Sequence, residues 1–252
     1  MRVVGRTRVL SGNPVTEPRG NTVVFQDDFS SGAFTNWASC QWKAGAAAAR
    51  NDDCLSYNGT SEYSATVTSD GGAHPHAARF ELRNGDVPFS TTERAEIGEP
   101  RGSTEVTTGD IRWVGWDMKF DATWPVPIGG WCLVWQWHHN SDLGSPPLCL
   151  DIDTDDVIYL ANNDASGYQR TAVQSVQRGV WQRWVIKALF HENNAIGYAS
   201  VWIDGVNVLP QHSRRTMVVG DTGNYFKAGI YRDEVNTATA IRWLDNLIIT
   251  AP

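Results

Sequence analysis

The chain has no apolar stretch long enough to cross a membrane, and its first 20 residues, which carry Arg2, Arg6, Arg8 and Arg19, hold no run suited to a signal peptide. No membrane partner is expected. Positive charge is also scarce: the formal net charge is −7, and no Lys/Arg-rich stripe covers the chain, which excludes a nucleic-acid partner. Helical periodicity is almost absent. So are internal repeats, interdomain linkers and Cys-x-x-Cys spacings, the last of which argues against a zinc site or a redox centre. There are only four cysteines, Cys40, Cys54, Cys132 and Cys149. Three connectivities are open, of which neighbour pairing, Cys40 with Cys54 and Cys132 with Cys149, is the simplest. Cysteine usage of this kind suits an oxidising compartment, so a secreted monomer is expected, with its signal peptide not present in this chain.

What is abundant is glycine, 23 residues, and tryptophan, 12 residues, within a chain that is 41% hydrophobic. At 252 residues it is long enough to bury roughly 70% of its unfolded surface in one large β domain. From Val23 onward, short apolar or alternating runs are broken by Gly, Pro, Asn and Asp. Strands are predicted at Val23-Phe25, Ala77-Leu82, Arg94-Ile97, Ile111-Phe120, Trp131-His138, Leu148-Ile152, Val157-Ala161, Trp181-Phe190, Gly197-Ile203, Tyr225-Tyr231 and Ala240-Ile249. The clearest hairpin turns through Asp204-Gly205, a dipeptide suited to a type I′ turn. The expected fold is all-β, a jelly-roll sandwich of two antiparallel sheets over residues 23–252, preceded by an N-terminal extension over 1–22.

Three of these strands place polar groups two residues apart, hence on one face. They are Arg94-Ala95-Glu96, Gln136-Trp137-His138, and Lys227-Ala228-Gly229-Ile230-Tyr231, the last followed by Arg232. A charge, a gap and a phenol line up on the third. These groups match the needs of a β-elimination beside a carboxylate: donors to draw charge from the carboxylate, a base for the C5 proton and an acid for O4. Arg94 and Gln136 suit the carboxylate, Arg94 as a planar fork and Gln136 as an amide donor. His138 suits the base, since it shares the face of Gln136 whereas His139 points away. Tyr231 suits the acid, or the base if Lys227 lowers its pKa. Glu96 is expected to orient a cation, and Arg232 to add to substrate binding.

In this order and spacing, Arg94-x-Glu96, Trp135-Gln136-Trp137-His138 and Tyr225-Phe226-Lys227-x-Gly229-x-Tyr231 resemble the jelly-roll polysaccharide lyases that include alginate lyases, heparin lyase I and glucuronan lyase. Ile111-Arg112-Trp113-Val114-Gly115-Trp116, Pro146-Pro147-Leu148, Gly179-Val180-Trp181 and Val201-Trp202-Ile203-Asp204-Gly205 fit the heparin lyase I and glucuronan lyase branch better. The resemblance covers roughly residues 23 to 250 and implies a sheet that holds an acidic polysaccharide and cleaves it by β-elimination. It implies that Gln136 and Arg94 contact the carboxylate, that His138 and Tyr231 share the proton transfers, and that Lys227 binds substrate or tunes Tyr231. No cofactor is required for that chemistry. A structural calcium is expected between Asp28 and Asp245, near the first and last strands, because several members of the family bind one. The negative net charge favours a carboxylate-only polymer such as glucuronan over a sulfated glycosaminoglycan, with alginate as the alternative. Two other readings have the same composition. A glycoside hydrolase needs a carboxylate pair, and Glu96 and Glu99 are out of phase on a strand; a carbohydrate-binding module would share the aromatic-rich sheets but not the dependence on Tyr231.

Overall fold

The computed structural model describes residues 19–252 except 45–46, 49–52, 58–60, 88–91, 103, 128, 142–143 and 165–166. Most of the expected extension, residues 1–18, lies outside the described residues. The strands are β1 (Thr22–Asp27), β2 (Trp37–Gln41), β3 (Lys43–Ala44), β4 (Ala47–Ala48), β5 (Ala65–Thr68), β6 (Ala77–Leu82), β7 (Glu93–Pro100), β8 (Ile111–Phe120) and β9 (Cys132–His139). They continue as β10 (Leu148–Ile152), β11 (Val157–Asp164), β12 (Gly167–Ser175), β13 (Gln182–Leu189), β14 (Tyr198–Ile203), β15 (Val206–Ser213), β16 (Asn224–Arg232) and β17 (Ala240–Ala251). Among the described residues there is one short 3-10 helix, Cys54–Tyr57, and no α-helix.

Two antiparallel sheets face each other as a jelly roll. One runs β15-β14-β13-β8-β17-β6-β5, with β1 also on β17; the other runs β12-β11-β10-β9-β16-β7-β2. The Asp204-Gly205 hairpin forms as predicted, both residues with positive φ (51° and 79°) as a type I′ turn requires. Alternation along each strand sends one set of side chains between the sheets. Eight of the twelve tryptophans are buried, and Trp116 of β8 stacks on Trp135 of β9 across the sandwich, with ring centroids 5.6 Å apart. Rings of this size dominate the core; truncating one to alanine typically costs about 3–5 kcal/mol.

The two middle strands of the seven-stranded sheet are irregular where they meet. In the pairing of β16 with β9, Ala228 faces Trp135 and Tyr231 faces Leu133, so Gly229 and Ile230 oppose the single residue Val134. This bulge leaves carbonyls out of the ladder, and Arg242 takes them up from the other sheet. Fully buried, its guanidinium donates to the Gly229 carbonyl at 2.7 Å and to the Val134 carbonyl. Gly229 has φ +144°, and a Cβ there would stand 2.1 Å from the Ala95 carbonyl oxygen. No other residue fits without moving β16 away from β7.

Cys40 and Cys54 form the expected disulfide, which joins β2 to the 3-10 helix. The second expected pair does not form: Cys132 and Cys149 are free, buried thiols. The register explains it. Cys132 pairs with Ile152 and Cys149 with Gln136, so the two are three residues apart along β10 and four along β9, and the register shift between these strands turns the two side chains to opposite faces. Cys132 lies in the main core, whereas Cys149 lies with Leu133 and Ala161 on the outer face. Burial pushes the Cys132 thiol up to about 12 and the Cys149 thiol well above its ordinary value, which makes both poor nucleophiles. Two thiols should therefore titrate after denaturation without reductant, and neither should react in the native protein; a denatured count of zero would show a second disulfide.

Candidate active site

The outer face of the seven-stranded sheet brings the three polar pairs together. In the register of β16 with β7, Tyr231 faces Arg94, Gly229 faces Glu96 and Lys227 faces Gly98. With β9, Lys227 faces Gln136 and Tyr225 faces His138. Two glycines make this possible. A Cβ on Gly98 would stand 2.9 Å from the Lys227 side chain, and at Gly229 there is no side chain to separate Glu96 from Gln136 on the strand beyond.

Glu96 is the hub. One carboxylate oxygen accepts from Gln136 Nε2 at 2.6 Å and the other from Lys227 Nζ at 2.7 Å. Lys227 Nζ also donates to Gln41 Oε1 at 2.8 Å, and Arg94 Nη1 donates to the same oxygen at 3.3 Å. Glu96 and Lys227 are each 2% exposed. Burial opposes the charge on Glu96, but Lys227 and Arg94 outweigh it and hold the carboxyl below its usual range. The Arg94 guanidinium in turn lies 4.1 Å over the Tyr231 ring, which meets Trp131 edge-on at 4.6 Å.

His138 stands at the edge of this network. Its Nδ1 lies 2.8 Å from the His139 carbonyl oxygen, which can only accept, so Nδ1 carries the proton and the Nε2 lone pair is left over. Burial, reinforced by the Lys227 charge, lowers its pKa to about 4. The imidazole is thus neutral over most of the pH range, as a base must be. His139 points away, as expected, with its Nε2 2.8 Å from the Gly144 carbonyl oxygen. A cavity of about 690 Å³ opens beside His138 and Tyr231.

Three expected residues stand outside this cluster, Asp28 and Asp245 near the first and last strands as expected. Arg232, expected to bind substrate, projects from the other face of β16, is 1% exposed and donates to Glu93 at 2.7 Å, so it has no access to the cleft. Asp28 caps the Ser30 amide at 3.0 Å, whereas Asp245 is paired with His74 at 2.7 Å. No group of three or more His, Cys, Asp or Glu suited to a metal occurs among the described residues. Gln41, Tyr225 and Trp131 were not foreseen as site residues. Tyr225 could have been read from its place two residues before Lys227; Gln41 lies on β2, which gave no strand signal.

A family model described as polysaccharide lyase matches residues 29–248, and the chain belongs to that family and is a polysaccharide lyase. No curated protein matches. Among solved structures, it is similar to an endo-β-1,4-glucuronan lyase from the fungus Trichoderma reesei, with TM-score 0.67 and 16% identity over 92% of this chain and 96% of that one. It is also similar to an alginate lyase from Corynebacterium sp., with TM-score 0.61 and 16% identity over 87% and 95% of the two chains. A third, the marine alginate lyase of polysaccharide lyase family 7 from Zobellia galactanivorans, has TM-score 0.57 and 17% identity over 86% and 96%. At these identities the likeness establishes the shared jelly-roll fold.

Removing one partner of the buried pair should leave the other as an uncompensated charge. Lys227→Met is expected to lose about 3–5 kcal/mol of stability in urea unfolding, and Lys227→Met/Glu96→Met to regain most of it. If the double variant is as unstable as the single one, the pair is not what holds these strands in place.

Proposed function

We propose that the chain cleaves an unsulfated uronic-acid polymer by β-elimination, with glucuronan the first substrate to try and alginate the second. The observation that carries the reading is His138, a neutral imidazole with its Nε2 lone pair unused, on the cleft face shared by Tyr231, Arg94 and Gln136. In the reaction His138 Nε2 takes the C5 proton, the C5–H electrons form the C4–C5 double bond, and the C4–O4 bond breaks. Tyr231 gives its phenolic proton to O4 as that bond breaks. Arg94 stabilises the charge that builds on the substrate carboxylate as C5 is deprotonated, and Gln136, fully buried beneath it, steadies the site through Glu96 and is brought to the carboxylate only as substrate seats.

The buried Glu96–Lys227 pair is the fixed support for these groups, since it holds Gln136 by one amide hydrogen and meets Arg94 through Gln41. A site whose dipoles are already in place does not have to reorganise during the reaction. The substrate choice is supported by the net charge of −7, which disfavours a heavily sulfated polymer, and by the glucuronan and alginate lyases among the similar folds. The disulfide Cys40–Cys54 supports secretion.

Absorbance of the unsaturated uronate, followed with glucuronan, alginate, hyaluronan and heparin in turn, tests the activity; no rise with any of them would refute it. Tyr231→Phe should lower kcat by about 10²-fold or more, the scale of a lost proton donor, while substrate binding persists. For His138 the sign follows from its lowered pKa: the neutral, active form is complete well above pH 4 and is lost as pH falls through about 4. An acid limb nearer the ordinary imidazole value of roughly 6.5, or one that persists unchanged in His138→Gln, would remove His138 as the base.

A further inference from the structure

The cavity beside the catalytic groups has a chemistry opposite to theirs. Its floor is apolar, formed by Leu133 and Cys149, with Trp131 as an aromatic wall next to Tyr231. Its far end is acidic, lined by Asp151, Asp153 and the Tyr168 hydroxyl. Neither lysine nor arginine is among the described residues that line it. Asp151 is 4% exposed and accepts hydrogen bonds from the Cys132 amide at 3.2 Å and from the Tyr168 hydroxyl. Arg170, on β12 alongside, is tied to Asp153 and lies 4.3 Å over the Tyr159 ring.

A uronate seated here would bring its carboxylate toward the buried Asp151, at a cost that grows with burial, while Arg170, the nearby cation, is already committed to Asp153. An uncharged pyranose meets no such penalty. Its apolar C–H face fits Trp131 and the Leu133–Cys149 floor, and its hydroxyls are donors for Asp151 and Asp153. We infer that this cavity is a subsite for a neutral sugar, so that the preferred polymer has an uncharged residue linked to the uronate held by Arg94 and Gln136. The inference rests on the lyase reading above and narrows its substrate. Glucuronan, charged at every residue, is then a tolerated substrate, and a polymer in which 4-linked glucuronate alternates with a neutral hexose is a better one.

The test compares kcat/KM on glucuronan and on such an alternating polymer, for the unaltered protein and for Asp151→Asn/Asp153→Asn. The alternating polymer should lead by about tenfold or more in the unaltered protein, and removing both charges should erase most of that lead. Thr154→Lys, an exposed change at the cavity wall, is the safeguard against misfolding of the double variant and should also shift the ratio toward glucuronan. A lead for glucuronan, or a ratio that neither variant moves, would overturn the subsite. Calorimetric binding of the matching oligosaccharides to Tyr231→Phe separates the two readings. If no polymer is cleaved, the lyase reading fails, yet tighter binding of the alternating oligosaccharide still supports the subsite and tighter binding of the glucuronan oligosaccharide still overturns it.

Discussion

The rest of the site depends on one cation that never meets solvent. Arg242 starts on β17, in the eight-stranded sheet, and its guanidinium ends on the carbonyls of Val134 and Gly229 in the other sheet. Its Nε and Nη2 have no hydrogen-bond partner among the described residues, and burial lowers its pKa to about 9. Such a group is costly on its own terms. What it offsets is the bulge between β9 and β16, whose carbonyls would otherwise be buried without a donor. The bulge in turn decides the cleft. It sets Leu133 on the outer face beside Tyr231, although strict alternation from Gln136 would have turned Leu133 inward.

On that frame the site divides into two halves with different physics. On one side Glu96, Lys227, Gln41, Arg94 and Gln136 form a network of opposite charges and amides that is already assembled before substrate arrives. On the other, an apolar floor and two carboxylates offer little to an anion. His138 and Tyr231 stand between the halves, which is where a bond joining two unlike sugars would lie. A network already balanced internally also explains how a protein of net charge −7 can present cations to a carboxylate without a generally basic surface.

Much of this was legible in the sequence, because the period of a strand is short. Arg94 with Glu96, Gln136 with His138, and Lys227 with Gly229 and Tyr231 each declare a shared face within a few residues, and the strands over 111–120 and 225–231 follow from plain alternation. What escaped depends on contacts between distant segments. Gln41 enters through β2, whose Trp-Ala-Ser-Cys-Gln carries no alternation, and its importance is visible only once Lys227 lies against it. The free state of Cys132 and Cys149 is set by a bulge that no local pattern announces, so neighbour pairing was the natural but mistaken expectation. Arg232 failed for a related reason: it is one residue past Tyr231, and in a strand one residue is the other face.

β17 is the last strand of the chain and yet an inner strand of its sheet, flanked by β8 and β6 and paired also with β1, so that Thr22 lies opposite Ala251. Until β17 is made, β1, β6 and β8 each wait with an open edge, and the pairing of β1 with β17 spans almost the whole described chain. Contacts of such long range form slowly and together. Because Arg242 belongs to this strand, the carbonyls at the bulge are unpartnered until it arrives. Maturation of the cleft is thereby tied to the docking of β17, and a chain in which β17 is not yet in place has a sheet but no organised catalytic face.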